Sequence, residues 1–339
     1  MKSGLKILFL TAGGSTPKKE LGLGHIFRSL NLASHFKKND VFFLLEDFGG
    51  SEKIIKKNGY RRIITFRKNE NKKNKTIKVI KKFNINLIII DRYKIPKSFV
   101  SKIKSYVKTV VISDLQDIDF NADLVVNGFI GFKNQIIKNS FGKRCIVGPS
   151  FQILNKNFSL KKKYSKKFDL LATFGGYDEH NIIEIFLESL KKYANKITAK
   201  IILGPSTKKS KKIFQFEKQF RSRIKIVQET DNMSKEIMNA KFGICAGGIT
   251  SYEFAAMNKP FAIVSLSPHQ LIDAVEWEKK RIAINLGLID KKINNKIDAF
   301  LEQIICKETL TKSKKLFIDG LGSERVAKEI LTLTKMDMR

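Results

Sequence analysis

A glycine-rich step into a helix that also carries a histidine joins an anion-binding backbone to a titratable side chain, and Leu21-Gly22-Leu23-Gly24-His25-Ile26-Phe27-Arg28 has that composition. The apolar run Leu5 to Leu10 ahead of it reads as a buried strand, while Ile26, Leu30, Ala33 and Phe36 recur behind it at helical spacing and supply one buried face. Gly22 and Gly24 permit a tight turn and close approach of a ligand. His25 then falls in the first turn of the helix, where free N–H groups favour an anion and oppose protonation of the imidazole. A neutral histidine there can serve as a general base near pH 7. Packing at a helix start would explain a lone histidine; Gly-x-Gly before it and Arg28 one turn after it favour a site.

Comparable residues stand at other strand ends. Thr173-Phe174-Gly175-Gly176-Tyr177-Asp178 follows an apolar run, so Gly175 and Gly176 can approach a phosphate or sugar while Asp178 caps a helix beginning near Asn181. In Gly247-Gly248-Ile249-Thr250-Ser251-Tyr252-Glu253, two glycines, two hydroxyls and a helix start make a diphosphate cradle, and Glu253 one turn later can accept two ribose hydroxyls. The same Thr250-x-x-Glu253 spacing is also that of a capping box, which needs no ligand. Pro268-His269-Gln270 opens another helix, with Gln270 suited to a sugar or ribose hydroxyl. Asp91-Arg92-Tyr93 and Ser113-Asp114 end two strands, and Asp91 and Asp114 can either orient His25 or a substrate hydroxyl or cap the turns that follow. There is no Gly-x-Ser-x-Gly elbow, Walker loop, His-Glu-x-x-His or cysteine–histidine ligand spacing, so neither a metal nor another cofactor is expected.

These residues need strands and helices to hold them. Val41 to Leu45, Arg62 to Phe66, Asn86 to Ile90, Lys108 to Ile112 and Asp123 to Val126 read as strands with helical stretches between most of them. The pattern breaks from Cys145 to Ser150, and Leu154 to Lys167 is polar and basic. It then resumes with strands at 168–174, 200–203, 224–227, 242–245 and 261–264 and helices near 181–193, 210–220, 234–239, 250–257 and 270–280; 293–306 and 324–333 also look helical. Strands apolar on both faces, alternating with helices, predict two α/β domains built on parallel sheets. The expected division is 1–150, a linker 151–167, 168–320, and a C-terminal helix 321–339. Ligands in such folds bind at the carboxyl ends of the strands, here across a shared cleft.

Bulk properties narrow the classes. The 339 residues suit two domains, and no apolar run approaches the roughly 20 residues that span a bilayer. The run Leu5 to Ala12 enters Gly13-Gly14 without a signal-type cleavage pattern, and Cys145, Cys245 and Cys306 are scattered and odd in number; both point to the cytoplasm. A net charge of +33 would ordinarily suggest nucleic acid or an anionic membrane. The lysines are instead spread along the chain with abundant Ile and Asn, a compositional bias. The basic runs at 72–75, 161–167 and 208–212 lack the interleaved aromatics of single-strand binders, so no specific nucleic-acid partner is expected.

Together, in order and spacing, Gly22-x-Gly24-His25-Ile26-x-Arg28-Ser29-Leu30-x-Leu32-Ala33, Asp91-x-Tyr93, Gly148-Pro149, Phe174-Gly175-Gly176-x-Asp178-x-x-Asn181, Ala246-Gly247-Gly248 and Asp319-Gly320-x-Gly322-x-x-Arg325-Val326 resemble the PseG/SpsG group over nearly the whole chain. That group contains the UDP-sugar hydrolase of pseudaminic acid biosynthesis and relatives of MurG, the N-acetylglucosaminyltransferase of peptidoglycan synthesis. The resemblance implies a GT-B fold, two Rossmann-like domains with parallel sheets facing a central cleft, UDP held mainly by the C-terminal domain, and no need for a metal. Carried over by position, His25 is the base that activates water for attack on the anomeric carbon, with Tyr93 near it; Asp91, read above as able to orient His25, completes the expected catalytic residues. Gly247, Gly248, Thr250 and Ser251 contact the diphosphate and Glu253 the ribose, while Gln270 stands where MurG-like enzymes have a sugar-contacting glutamine. Gly22, Gly24, Arg28, Gly175, Gly176, Asp178 and His269 complete the expected UDP or substrate contacts. The implied reaction releases UDP and a free diacetamido-trideoxyhexose on the path to a nonulosonic acid of surface glycans.

One alternative is a MurG/SpsG-like glycosyltransferase, in which His25 deprotonates an acceptor hydroxyl and a lipid acceptor would bring peripheral membrane association. Another is a non-catalytic nucleotide-sugar or polyanion binder. The chain departs from the hydrolase pattern in its first strand, where Leu10-Thr11-Ala12-Gly13-Gly14 replaces an Arg-x-Asp, and at Arg92 and Ser113.

Overall fold

The computed structural model describes residues 4–14, 22–159, 167–176, 178, 180–205, 207–306 and 318–335. Leu21, Tyr177, Glu179 and all but the last residue of the basic run 161–167 lie outside them. The chain forms two compact units, Met1–Lys156 with Leu321–Arg339, and Asn157–Gly320.

The first unit is built on β1 (Ile7–Gly14), β2 (Val41–Phe48), β3 (Ile63–Thr65), β4 (Leu87–Asp91), β5 (Lys108–Ile112), β6 (Leu124–Asn127), β7 (Gln135–Lys138) and β8 (Arg144–Val147), in the order β3-β2-β1-β4-β5-β6-β8-β7. Its central strands are short runs of Ile, Leu, Val and Phe with both faces covered, as a parallel sheet requires. Ile7, Phe9, Leu87 and Ile89 face one core together with α1 (Gly24–Ala33), and Leu8, Leu10, Ile88 and Ile90 face the other, which also takes in residues of α3 (Lys72–Phe83) and α4 (Lys97–Lys104). The short α2 (Ser51–Lys57) follows β2. Ile26, Leu30 and Ala33 are buried as their spacing predicts, with Phe36 packed at the margin. Helix α1 lies close on β1 because residue 13 is glycine: a Cβ there would come within 2.5 Å of Ile26 Cγ1.

The second unit carries β9 (Phe168–Thr173), β10 (Ala199–Ile202), β11 (Ile224–Val227), β12 (Ala240–Ala246), β13 (Phe261–Ser265) and β14 (Ala283–Leu288), all parallel, in the order β11-β10-β9-β12-β13-β14. Helices α5 (Ile182–Lys191), α6 (Lys211–Phe220), α7 (Met233–Met238), α8 (Ile249–Ala256), α9 (Pro268–Lys279) and α10 (Ile293–Ile305) surround it. The two sheets share one winding. In each, the first strand sits beside the fourth, and the strand order reverses between them: β1 against β4 and β9 against β12. Ligands of open α/β sheets bind at the carboxyl ends of the strands at such a switch point.

Three strands depart from the sequence expectation. The break read at Cys145 to Ser150 overlaps β8, which pairs parallel to β6 and antiparallel to β7. Strand β7 ends the sheet with Ile136 half exposed, so it lacks the buried apolar run that marks the others. Strand β14 was not expected either; it is an interrupted edge, containing Asn285 and Gly287 and shifting register against β13.

The last helix, α11 (Gly322–Lys335), belongs to the first unit. Val326, Ala327 and Ile330 enter the core that holds Ile26 and Leu30. Arg325 Nη1 donates to the Ser150 carbonyl at 3.0 Å and Ser323 Oγ to that of Leu154 at 2.6 Å. A Cβ at Gly322 would stand 2.0 Å from the Gln152 carbonyl oxygen, so this glycine serves the close docking of the helix. Among the described residues no helix is long and apolar enough to cross a membrane. Truncating Ile330→Ala should destabilise the protein by about 2–4 kcal/mol, the cost of a core cavity. Urea unfolding followed by circular dichroism measures it, and a loss under about 0.5 kcal/mol, the size of an ordinary surface change, would show that α11 is not part of the core.

Candidate active site

In the first unit the switch point brings together side chains from three elements. Strand β4 ends on Asp91, fully buried, and its register places it beside Thr11 of β1. Helix α1 starts immediately after the glycine step, with no side-chain cap, and presents His25 and Arg28 to that carboxylate. His25 Nδ1 lies 2.8 Å from Asp91 Oδ1. Arg28 Nε donates to Asp91 Oδ2 at 2.9 Å, Arg28 Nη2 to Oδ1 at 2.5 Å, and Ser29 Oγ reaches Oδ2 at 3.5 Å. Just past β5, Asp114 takes the other side of the same guanidinium, through Nη1 at 2.5 Å and Nη2 at 3.2 Å.

Electrostatics fixes the charges of this group. Burial alone would raise the Asp91 carboxyl, but the Arg28 guanidinium, the His25 ring and the hydrogen bonds from both hold it below the ordinary carboxylate range. Burial likewise works against the charge on Arg28, and Asp114 and Asp91 overcome it and hold the guanidinium firmly protonated. A buried cation is tolerable here because two carboxylates satisfy it. Arg28, expected to contact substrate, is instead 7% exposed and engaged with these two acids. His25 keeps part of its ring accessible while Nδ1 faces Asp91; a proton on Nδ1 donated to that carboxylate would leave the lone pair on Nε2. Among the described residues nothing stands within 4 Å of where a Cβ on Gly22 or Gly24 would lie, and the Gly24, His25 and Ile26 amides have no partner. Tyr93 lies two residues beyond Asp91, partly buried, with the Lys94 ammonium 5.2 Å over its ring. Asp114, read as orienting His25 or a substrate hydroxyl or as capping a turn, instead accepts from Arg28, a pairing the sequence does not signal because a strand-end acid looks the same whether it caps a turn or braces an arginine.

In the second unit, α8 follows β12 through Gly247-Gly248. Gly248 is the N-cap with φ +110° and ψ −150°, a conformation that suits glycine. A Cβ on Gly247 would stand 2.6 Å from Gln270 Cβ, so that glycine allows the start of α9 to close in. The capping box is not formed: the helix begins too early for Thr250 to be its N-cap, and no side chain caps it. Ser251 Oγ donates to the Gly248 carbonyl at 2.6 Å. The Ile249 and Thr250 amides and the Thr250 hydroxyl have no partner among the described residues. Helices α3, α6, α7 and α9 are capped by Asn71, Ser210, Asn232 and Ser267, and Asp47 serves α2. Helices α4 and α10 also begin without a side-chain cap, but behind Pro96 and Lys292 rather than glycine.

Glu253 stands one turn into α8 without a hydrogen-bond or ion-pair partner among the described residues. A small part of it meets solvent, yet burial pushes its carboxyl up to about 8. Gln270 points its Oε1 at the Leu266 amide, 2.8 Å away, and so braces the loop ahead of α9; His269 is the second residue of that helix. Asp178 accepts from the Ile182 and Ile183 amides at 2.8 and 3.1 Å, which makes it the expected cap of α5 and commits both oxygens. Among the described residues nothing stands within 4 Å of where a Cβ on Gly175, at φ +96°, would lie, and a Cβ on Gly204 would stand 2.3 Å from the Gly175 carbonyl oxygen, so the two backbones lie close. Among the described residues, no three His, Cys, Asp or Glu side chains converge as metal ligands would.

No family model matches the chain. An uncharacterised protein of Methanocaldococcus jannaschii is 27% identical over 277 residues, 77% of this chain, which spans only 55% of that relative's length. The spore coat polysaccharide biosynthesis protein SpsG of Bacillus subtilis is 23% identical over 323 residues, 91% of this chain and 93% of its own. Among solved structures, Acinetobacter baumannii MurG superposes with a TM-score of 0.64 at 13% identity, covering 96% of this chain and 99% of that one. S. aureus MnaA, solved with UDP, does so at 0.60 and 12% identity, covering 97% and 98%. These likenesses show the fold: two Rossmann-like α/β units of the GT-B class.

The raised carboxyl of Glu253 has a stability consequence. Between an ordinary unfolded value near 4.3 and the folded value of about 8, the native state holds a proton that the unfolded chain has lost, so this group's contribution falls as pH rises across that window. Glu253→Gln should therefore raise the melting temperature at about pH 9 and change it little at about pH 5. Differential scanning calorimetry at both pH values decides it; an equal effect at the two would contradict a buried, protonated Glu253.

Proposed function

We propose that this chain is an enzyme of glycosyl transfer that acts on a UDP-sugar, with His25 as the general base and the second unit as the nucleotide holder. The observation that carries the reading is the His25–Asp91 pair at the β1/β4 switch point: a buried carboxylate on Nδ1, with Nε2 left to take a proton. In the reaction, Nε2 removes the proton of an acceptor hydroxyl as its oxygen attacks the anomeric carbon, and the bond to the β-phosphate oxygen breaks with its electron pair leaving on UDP. Asp91 stabilises the imidazolium that forms. The free amides of Ile249 and Thr250, the Thr250 hydroxyl and the positive end of α8 suit a diphosphate, and the unpartnered Glu253 suits the two hydroxyls of a ribose.

The likeness to MnaA, solved with UDP, supports a uridine nucleotide, and the likeness to MurG and SpsG supports a sugar hydroxyl as acceptor in polysaccharide assembly. Water is the second reading. It is favoured by the placement of His25 against the Asp91 of Asp91-x-Tyr93, a segment that resembles the UDP-sugar hydrolase, and it would give UDP and a free diacetamido-trideoxyhexose.

The test is to incubate the protein with a panel of UDP-linked acetamido sugars, with and without saccharide acceptors, and to follow UDP, free sugar and elongated product by mass spectrometry. Product that appears only with an acceptor supports transfer, and free sugar without one supports hydrolysis. His25→Ala should slow either reaction by ~10²-fold or more while UDP affinity, measured by calorimetry, stays near wild type. Unchanged turnover would remove His25 from the chemistry. Glu253→Ala should do the reverse, weakening UDP by ~10-fold or more with a smaller effect on turnover; normal UDP affinity would remove Glu253 from the nucleotide site.

A further inference from the structure

The pairing of His25 with Asp91 has a competitor within hydrogen-bond distance. His25 Nδ1 lies 2.8 Å from Asp91 Oδ1 and also 3.1 Å from Arg28 Nη2. Only one of these can be made, because Nδ1 either carries a proton and donates to the carboxylate or lacks one and accepts from the guanidinium. The choice decides what the ring can do. Donation to Asp91 leaves a lone pair on Nε2, as a general base needs, whereas acceptance from Arg28 puts the proton on Nε2 and removes the base.

Counting hydrogens identifies what settles the choice. Arg28 Nη2 has two, and two carboxylate oxygens accept from it: Asp91 Oδ1 at 2.5 Å and Asp114 Oδ2 at 3.2 Å. With both committed, none remains for His25. Asp114 also holds Nη1 at 2.5 Å, so the guanidinium cannot turn to free one. We propose that Asp114 is a positioning residue that locks the tautomer of His25, keeping its proton on Nδ1 by occupying the Arg28 hydrogen that would otherwise be given to that nitrogen. Asp114 acts through the guanidinium it holds. Its value for catalysis rests on the reading of His25 as the base, but the tautomer itself is a property of the free protein.

The test is nitrogen-15 NMR of histidine-labelled protein at about pH 9, where an imidazole is neutral. The two ring nitrogens have well-separated shifts in the two tautomers. The chain has four histidines, and the signal lost in His25→Gln assigns the one of interest. In the wild type, His25 should carry its proton on Nδ1. In Asp114→Ala the Nε2–H form should become the major one, and in Asp114→Asn, which keeps a single oxygen acceptor, it should be populated in part; Asp114→Glu should restore Nδ1–H. A wild-type signal of the Nε2–H form, or Nδ1–H retained in both the Ala and Asn variants, would overturn the proposal. If the Ala variant does not fold, the Asn variant carries the same test. On a substrate turned over by the wild type, Asp114→Ala should lower kcat by ~10-fold with KM within about 2-fold. Absence of turnover on every UDP-sugar would count against the proposed function and leave the tautomer result standing.

Discussion

A carboxylate with no access to water has to be surrounded by donors, and Asp91 organises the first unit around that requirement. Three donor atoms from α1 converge on it, two nitrogens of Arg28 and the Ser29 hydroxyl, together with Nδ1 of the His25 ring. They can do so only because α1 begins right after its glycine step and lies close on β1, which Gly13 permits. Burying a guanidinium to serve one acid would leave part of it unsatisfied, and Asp114 completes it. Helix position, strand register and the glycine step thus meet at one charge placed at the end of β4.

The second unit solves the opposite problem. Its sheet has the same winding and a glycine step at the corresponding switch point, but its polar groups are left open instead of being satisfied internally. Among the described residues the amides at the start of α8 have no acceptors and the Glu253 side chain has no donors, and burial holds its carboxyl toward the neutral form. Four other helices of the unit, α5, α6, α7 and α9, are closed by the side chains of Asp178, Ser210, Asn232 and Ser267. A site whose donors and acceptors are unmet in the free protein gains most from a ligand that supplies both, as a nucleoside diphosphate does.

Much of this was legible in the sequence because it rests on local pattern. Short apolar runs alternating with helical patterns marked the strands, the spacing of Ile26, Leu30 and Ala33 marked the buried face of α1, and glycines at strand ends marked both switch points. What the sequence withheld depends on partners distant along the chain. Arg28 reads as a substrate contact until the positions of Asp91 and Asp114, 63 and 86 residues away, are known. Thr250 and Glu253 read as a capping box because their spacing fits one, and only the early start of α8 dissolves it. The edge strands β7 and β14 escaped notice since half-exposed edges need no continuous apolar run.

The central claim is that His25 and Asp91 work as one catalytic unit, and a double-mutant cycle on turnover tests it most directly. With His25→Ala, Asp91→Asn and the double variant assayed on one UDP-sugar, and circular dichroism used to check that each keeps its fold, the double variant should be little slower than His25→Ala alone, since the part of Asp91's role that bears on proton transfer passes through the ring. Losses that multiply, each substitution slowing turnover regardless of the other, would contradict the account.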